Sequence, residues 1–297
     1  MRNTTTGFGE NAYVKTVSHE WVLTLSCPDT PGIVSAVSTA IATRDGNITE
    51  SQQFGDSDTG LFFMRVQFEG RPQRDMWTTA FSDVAKRFDL TWNLDEVGRP
   101  KRTIIMASRE AHCLQDLLFR HQATGLAIEV VAVVSNHETL APIAEFYDVP
   151  FHHIPVSPDT KPEAEAKLLD LVAEQEAELV VMAKYMQVLS DDLCHRLDGR
   201  IINIHHSFLP SFKGARPYAQ AHWRGVKLIG ATAHYATPDL DEGPIIEQDV
   251  ERVTHADNPT KLMRLGQDIE RRVLARAVQW HTEHRVLLDS HRTVVFT

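Results

Sequence analysis

Val97-Gly98-Arg99-Pro100-Lys101 is the sharpest break in the chain, combining glycine, proline and charge between two stretches of different periodicity. On its N-terminal side the elements are short and alternate. Residues 21–26 are apolar and strand-like, and Pro28-Asp29-Thr30-Pro31-Gly32 makes a turn in which Asp29 or Thr30 is expected to cap a helix. Ile33, Val34, Val37, Ala40 and Ile41 then recur at helical spacing. After a break at Asp45-Gly46-Asn47 come strands over 48–54 and 61–68, a helix over 76–88 and a strand over 90–94. The order is βαββαβ, the ferredoxin-like arrangement, which assigns residues 19–97 to a first domain and 98–101 to a linker.

Beyond the linker, over 102–297, strands alternate with helices. Strands are expected over 103–107, 129–134, 151–155, 179–183 and 201–205, with helices over 113–121, 139–146, 162–176 and 191–197 between them. This pattern predicts an α/β domain with a doubly wound, mostly parallel sheet. Residues 227–235 and 245–250 read as further strands, 258–284 as a long helix, and a polar break at 289–291 separates two short final strands.

With 297 residues, each domain is long enough to bury its own core. The net charge of −10 argues against a nucleic-acid partner, because no basic face is available to neutralise phosphates. Cys27, Cys113 and Cys194 are scattered and form no CxxC pair, which reads as reduced thiols in a cytoplasmic protein. No apolar run reaches the roughly 20 residues a membrane span requires. Residues 1–18 are polar, lack the apolar middle of a signal peptide, and are expected to be a disordered lead-in.

The chemistry concentrates in Ile201-Ile202-Asn203-Ile204-His205-His206-Ser207-Phe208-Leu209-Pro210. Residues two apart on a strand share a face, so Asn203 and His205 point into one space while Ile202 and Ile204 enter a core. The strand runs into a loop, which puts the polar pair at its C-terminal end, where open α/β sheets place their ligands. An amide there can donate to a developing oxyanion and an imidazole can carry a proton; Asp241, in the polar loop HYATPDLDEGP, can act as a base. Ser207 lies in no GxSxG elbow and is not read as a nucleophile. A metal is not expected. Fifteen histidines contain no HExxH and no Cys/His quartet, and adjacent histidines such as His152-His153 or His205-His206 face opposite sides of a strand.

These motifs, NIHHSFLP and SFKGARPY with GATAHYATPDLDEGPIIEQDV and MAKYMQVLS, resemble the formyl-folate hydrolase/transferase family from about residue 19 onward. The N-terminal unit resembles an ACT domain through Cys27-Pro28-Asp29-Thr30-Pro31-Gly32-Ile33 and the Asp45–Ile48 turn. The resemblance implies that Asn203 binds the oxyanion, that His205 is the catalytic histidine and that Asp241 is the essential aspartate. It implies a pterin pocket walled by Tyr185, Met186, Gln187, Val188 and Leu189 on one side and by Thr237 and Leu240 on the other. For the ACT unit it implies a homo-oligomer and an amino-acid effector, with Asp29 and Asn47 in the two effector-like loops.

Glycinamide ribonucleotide formyltransferases of this family carry a Gly-Ser loop for the amine substrate's phosphate. Here the equivalent loop is Ala107-Ser108-Arg109-Glu110-Ala111-His112-Cys113, with no glycine and with a carboxylate, a poor phosphate nest. The implied reaction is therefore hydrolysis of 10-formyltetrahydrofolate to tetrahydrofolate and formate, with water as nucleophile and no cofactor. It would supply formate to one-carbon and purine metabolism. Two rivals stand beside it: a formyltransferase with an amine acceptor, and a catalytically silent folate or amino-acid sensor.

Overall fold

The computed structural model of the chain describes residues 19–207 and 217–297 and divides into two compact units between Val97 and Gly98. The expected lead-in at 1–18 and the 208–216 part of the NIHHSFLP and SFKGARPY motifs lie outside the described residues.

The first unit runs β1 (His19–Pro28), α1 (Ile33–Ala42), β2 (Asn47–Asp56), β3 (Leu61–Gly70), α2 (Arg74–Phe88) and β4 (Thr91–Glu96). Its antiparallel sheet has the order β2-β3-β1-β4. Trp21, Leu23, Leu25 and Cys27 alternate along β1 onto the covered face and meet Ile33, Val37 and Ile41 of α1 and Trp77 and Phe81 of α2. Phe68 and Trp77 pack edge to face at 4.8 Å. Neither Asp29 nor Thr30 caps α1: the residue before the helix is Gly32 at φ 102°, with no side-chain cap. A capping side chain must belong to the residue next to the first helical one, and Pro31 and Gly32 intervene. The Asp29 amide instead donates to the Gly60 carbonyl at 2.8 Å.

The second unit runs β5 (Lys101–Ala107), α3 (His112–Thr124), β6 (Ile128–Ser135), α4 (Ala141–Phe146), β7 (Phe151–His153), α5 (Lys161–Glu174), β8 (Leu179–Met182), α6 (Asp191–Arg196) and β9 (Ile201–His205). It continues with α7 (Pro217–Arg224), β10 (Leu228–Tyr235), β11 (Ile245–Arg252), α8 (Pro259–Thr282), β12 (Val286–Asp289) and β13 (Arg292–Val295). The helix expected over 139–146 is a 3₁₀ turn, Glu138–Leu140, leading into α4. The helix α7 was not expected. No helix among the described residues is long and apolar enough to cross a membrane.

The main sheet has the order β11-β10-β9-β8-β5-β6-β7, with parallel pairing from β9 to β7 and antiparallel pairing of β10 with both neighbours. Both faces are covered. Ile105, Val181, Ile202 and Ile204 pack with α3 and α8, while Ile104, Met106, Val180 and Ile201 pack with α5 and α6. Each such side chain contributes roughly 1.5–3 kcal/mol on burial, which explains why these strands read as continuous apolar runs. The order reverses at β5, between β6 and β8, so the crevice belongs at the C-terminal ends of β5, β8 and β9.

Candidate active site

Asn203 and His205 follow Ile201 on the α5–α6 face of β9, at the end of the strand. They open into a cavity of about 310 Å³ that Tyr185, Met186, Gln187, Val188, Leu189, Thr237, Leu240 and Asp241 also line. All ten residues expected at the catalytic centre and pterin pocket thus share one space. The 183–189 wall turns into α6 through Ser190, whose hydroxyl accepts from the Leu193 amide at 3.2 Å.

Asp241 reaches the cavity on a tight turn. Its own φ is 59°, and a Cβ on Gly243 would lie 1.8 Å from the Tyr235 carbonyl oxygen. Only glycine allows that approach, by which the chain returns to pair β11 with β10. Asp241 Oδ1 lies 3.2 Å from His205 Nδ1 and 3.7 Å from His234 Nε2. The hydrogen bond from His205 holds the carboxyl well below the usual carboxylate range against the opposing effect of burial. An ionised carboxylate only accepts, so His205 Nδ1 carries a proton. Nε2 of His205 is buried and has no partner among the described residues, which leaves it for substrate or water.

His234 received no role from the sequence. It faces Asn203 across the β9–β10 ladder. Its Nδ1 donates to the Tyr235 carbonyl at 2.9 Å, and with the proton there Nε2 accepts from Asn203 Nδ2 at 3.1 Å. That bond fixes which end of the amide carries the hydrogens and leaves a second N–H free to donate. The only sequence signal for it was its place in the quoted GATAHYATPDLDEGP run.

His205 and His206 do not face opposite sides. Their rings stack at 4.7 Å with 21° between planes, because β9 ends at His205 and the chain bends. Burial, and then the charges of Lys184 and His205, push the His206 imidazole down to about 4. His153 lies outside this site and pairs with Glu138 at 3.2 Å. A cluster at the start of α3 does have ligand-type atoms, with those of His112, Cys113 and Glu270 within 4.8 Å of one another. However, Glu270 is already engaged by His112, Lys184 and Tyr218, and burial raises the Cys113 thiol well above its ordinary pKa.

The two expected effector residues are exposed and are not brought together. Asn47 opens β2, whereas Asp29 lies against Gly55 near its other end, eight residues along the strand. At roughly 3.3 Å per residue, that is about 26 Å.

Residues 101–278 match the formyl transferase family and residues 21–76 the ACT domain family. The formyltetrahydrofolate deformylase of Corynebacterium sp. (strain P-1) is 52% identical over 277 residues, which cover 92% of this chain and 97% of that protein. The crystal structure of formyltetrahydrofolate deformylase from Burkholderia mallei ATCC 23344 superposes with a TM-score of 0.90 at 48% identity, covering 94% of this chain and all of that one. Glycinamide ribonucleotide transformylase 1 from Symbiobacterium toebii superposes with a TM-score of 0.63 at 28% identity, covering 69% of this chain and 98% of that one. A relative that spans both units at this identity, and a transformylase that matches only about two thirds of the chain, place the protein on one branch: it belongs to the formyltetrahydrofolate deformylase family.

Proposed function

We propose that the chain hydrolyses 10-formyltetrahydrofolate to tetrahydrofolate and formate. The observation that carries this reading is the single cavity in which Asn203, His205 and Asp241 meet at the sheet's C-terminal edge, in a chain of this family. The pterin lies between the 185–189 and 237–240 walls, with the formyl group toward β9. The formyl oxygen takes its negative charge against the free N–H of Asn203, oriented by His234. Water attacks the formyl carbon and forms a C–O bond. The proton it loses passes through His205 Nε2 to the folate nitrogen as the C–N bond breaks. Asp241 holds the imidazole in place and balances its charge. This revises the expectation that Asp241 is itself the base, since a carboxylate with a depressed pKa is a weak proton acceptor.

We further infer that the reaction needs no bound metal or cofactor and serves one-carbon and purine metabolism in the cytoplasm. Three free, buried cysteines support a reducing compartment. The ACT unit is read as the contact of a homo-oligomer and the seat of an amino-acid effector. Formate release from 10-formyltetrahydrofolate with no acceptor present is the decisive assay, and formyl recovered only on an added amine would favour the transferase reading. Repeating it with amino acids, on protein of measured solution mass, tests the regulatory role. Dialysis against a strong chelator is expected to leave the rate unchanged; a loss restored by zinc or iron would reinstate a metal.

A further inference from the structure

On the other face of the same sheet edge, beside the catalytic cavity, four polar side chains meet, two of them buried and two half-buried. Glu270 of α8 is 1% exposed and Lys184, in the loop after β8, is 5% exposed. Lys184 Nζ lies 3.5 Å from both Glu270 oxygens. His112 Nε2 meets Glu270 Oε2 at 2.6 Å, and the Tyr218 hydroxyl donates to Oε1 at 2.9 Å. Burial alone would push this carboxyl up, but the bond to His112 and the charge of Lys184 bring it below its ordinary value.

Two backbone features show that the cluster is built and not incidental. Lys184 sits at φ 65°, in the left-handed region that a long side chain rarely adopts. Gly266, one turn before Glu270 on α8, is the space into which Tyr218 fits: a Cβ there would lie 1.9 Å from the Tyr218 hydroxyl. The mechanism above uses none of these groups. Yet Lys184 lines the cavity that holds Asn203, His205 and Asp241.

We infer that the Lys184–Glu270 pair, seated by His112 and Tyr218, fills the side from which a second substrate would approach the formyl carbon, and so restricts the nucleophile to water. The inference rests on the hydrolytic reading. Asn203 and His205 project toward α5 and α6, and the two proposed pterin walls lie on their side of β9. The face left to a nucleophile is toward α3 and α8, where Lys184 and Glu270 stand. A fully bonded buried ion pair resists displacement, because removing either partner strands the other charge away from water. Water needs only a molecule-sized gap there, whereas an amine acceptor needs the space the lysine occupies. The two outcomes balance alike. With water, a C–O bond forms, the folate C–N bond breaks and water's proton goes to the folate nitrogen. With an amine, a new C–N bond forms, the same bond breaks and the amine's proton goes to that nitrogen.

The test uses full-length protein, 10-formyltetrahydrofolate and glycinamide as the probe amine, with formate and N-formylglycinamide quantified together and corrected for the enzyme-free rate. Lys184→Gly and Lys184→Asn both suit the left-handed backbone and remove the ammonium. Both are expected to raise the ratio of formylated amine to formate by about tenfold or more, within the roughly 10–200-fold that a filled pocket can discriminate. Lys184→Arg, which keeps charge and bulk, is expected to give formate alone. Wild-type protein that formylates glycinamide as readily as the shortened variants overturns the inference. So do shortened variants that fold and still give only formate. Folded variants that have lost all turnover also overturn it, since Lys184 would then serve hydrolysis itself. Absence of formate release by wild-type protein is a separate result and refutes the hydrolase reading instead.

Discussion

On the α5–α6 side of the sheet edge, Asp241 keeps 21% of its side chain exposed, touches two imidazoles and faces an open cavity. On the α3–α8 side, Glu270 is 1% exposed and receives His112, Lys184 and Tyr218. Both carboxyls are held below their ordinary range by their neighbours, against the opposing effect of burial. The difference lies in what remains unbonded. Around Asp241, His205 Nε2 and one N–H of Asn203 have no partner among the described residues and are left for a substrate. Around Glu270 both oxygens are taken. The same ingredients therefore give reactivity on one side and rigidity on the other, according to how many partners the fold supplies.

The sharpest way to break this contrast is Asp241→Asn. It keeps the shape and removes the charge that orients His205, so formate release is expected to fall by about 10²–10⁴-fold, the range typical of losing an acid–base group. Folate binding, followed by fluorescence quenching, should persist. Thermal stability at neutral pH should fall by less than on removing Glu270, because Asp241 keeps 21% of its side chain exposed and Glu270 only 1%. Near-normal turnover would remove Asp241 from the mechanism. Glu270→Ala should behave oppositely. It leaves Lys184 buried without its partner, a loss of about 3–5 kcal/mol in urea unfolding. If Glu270→Ala unfolds at the same urea concentration as wild type, the closed side is not structurally important, and the comparison fails.

Sequence reading recovered the open side better than the closed one, and the reason is local. Asn203 and His205 announce themselves because period-2 alternation with Ile202 and Ile204 needs only five residues to be seen. Glu270 lies in a 24-residue amphipathic helix rich in charge, where one more glutamate reads as solvated. Its partners lie 52, 86 and 158 residues away in sequence. Lys184 reads as a surface lysine until its positive φ is known. His234 depended on antiparallel register with β9, which a chain of mostly parallel βα units does not announce. The missed cap at Asp29 or Thr30 and the stacked His205–His206 pair have a common cause. Each turned on where an element ends, to within one or two residues, and patterns place ends least well.

Gly266→Ala probes how tightly the closed side is built. Alanine favours the helix by roughly 1 kcal/mol over glycine, while the overlap with Tyr218 costs about 1–3 kcal/mol. A net loss is expected from urea midpoints. In a Tyr218→Ala background the overlap is gone, and the same substitution should instead stabilise. Equal effects in both backgrounds would show that Tyr218 does not occupy the space over Gly266.

The smallest expected effect concerns His206, which faces Lys184, His205, Glu270 and Asp241 and so lies between the two regions. Burial and the adjacent cations push it down to about 4, from the ordinary 6.5. It is therefore neutral in the folded chain at pH 5, whereas an unfolded chain binds a proton there. Its contribution to stability is full above pH 6.5 and declines as pH falls toward 4, where the folded form also takes up a proton. His281, pushed down to about 3 chiefly by burial, adds a limb of the same sign. His206→Gln should consequently flatten the fall in urea stability between pH 7 and pH 5 by no more than one proton's worth, leaving the His281 limb in place. An unchanged slope would mean that His206 titrates like a solvent-exposed ring. Neither burial nor the Lys184 charge would then act on the histidine next to the catalytic one.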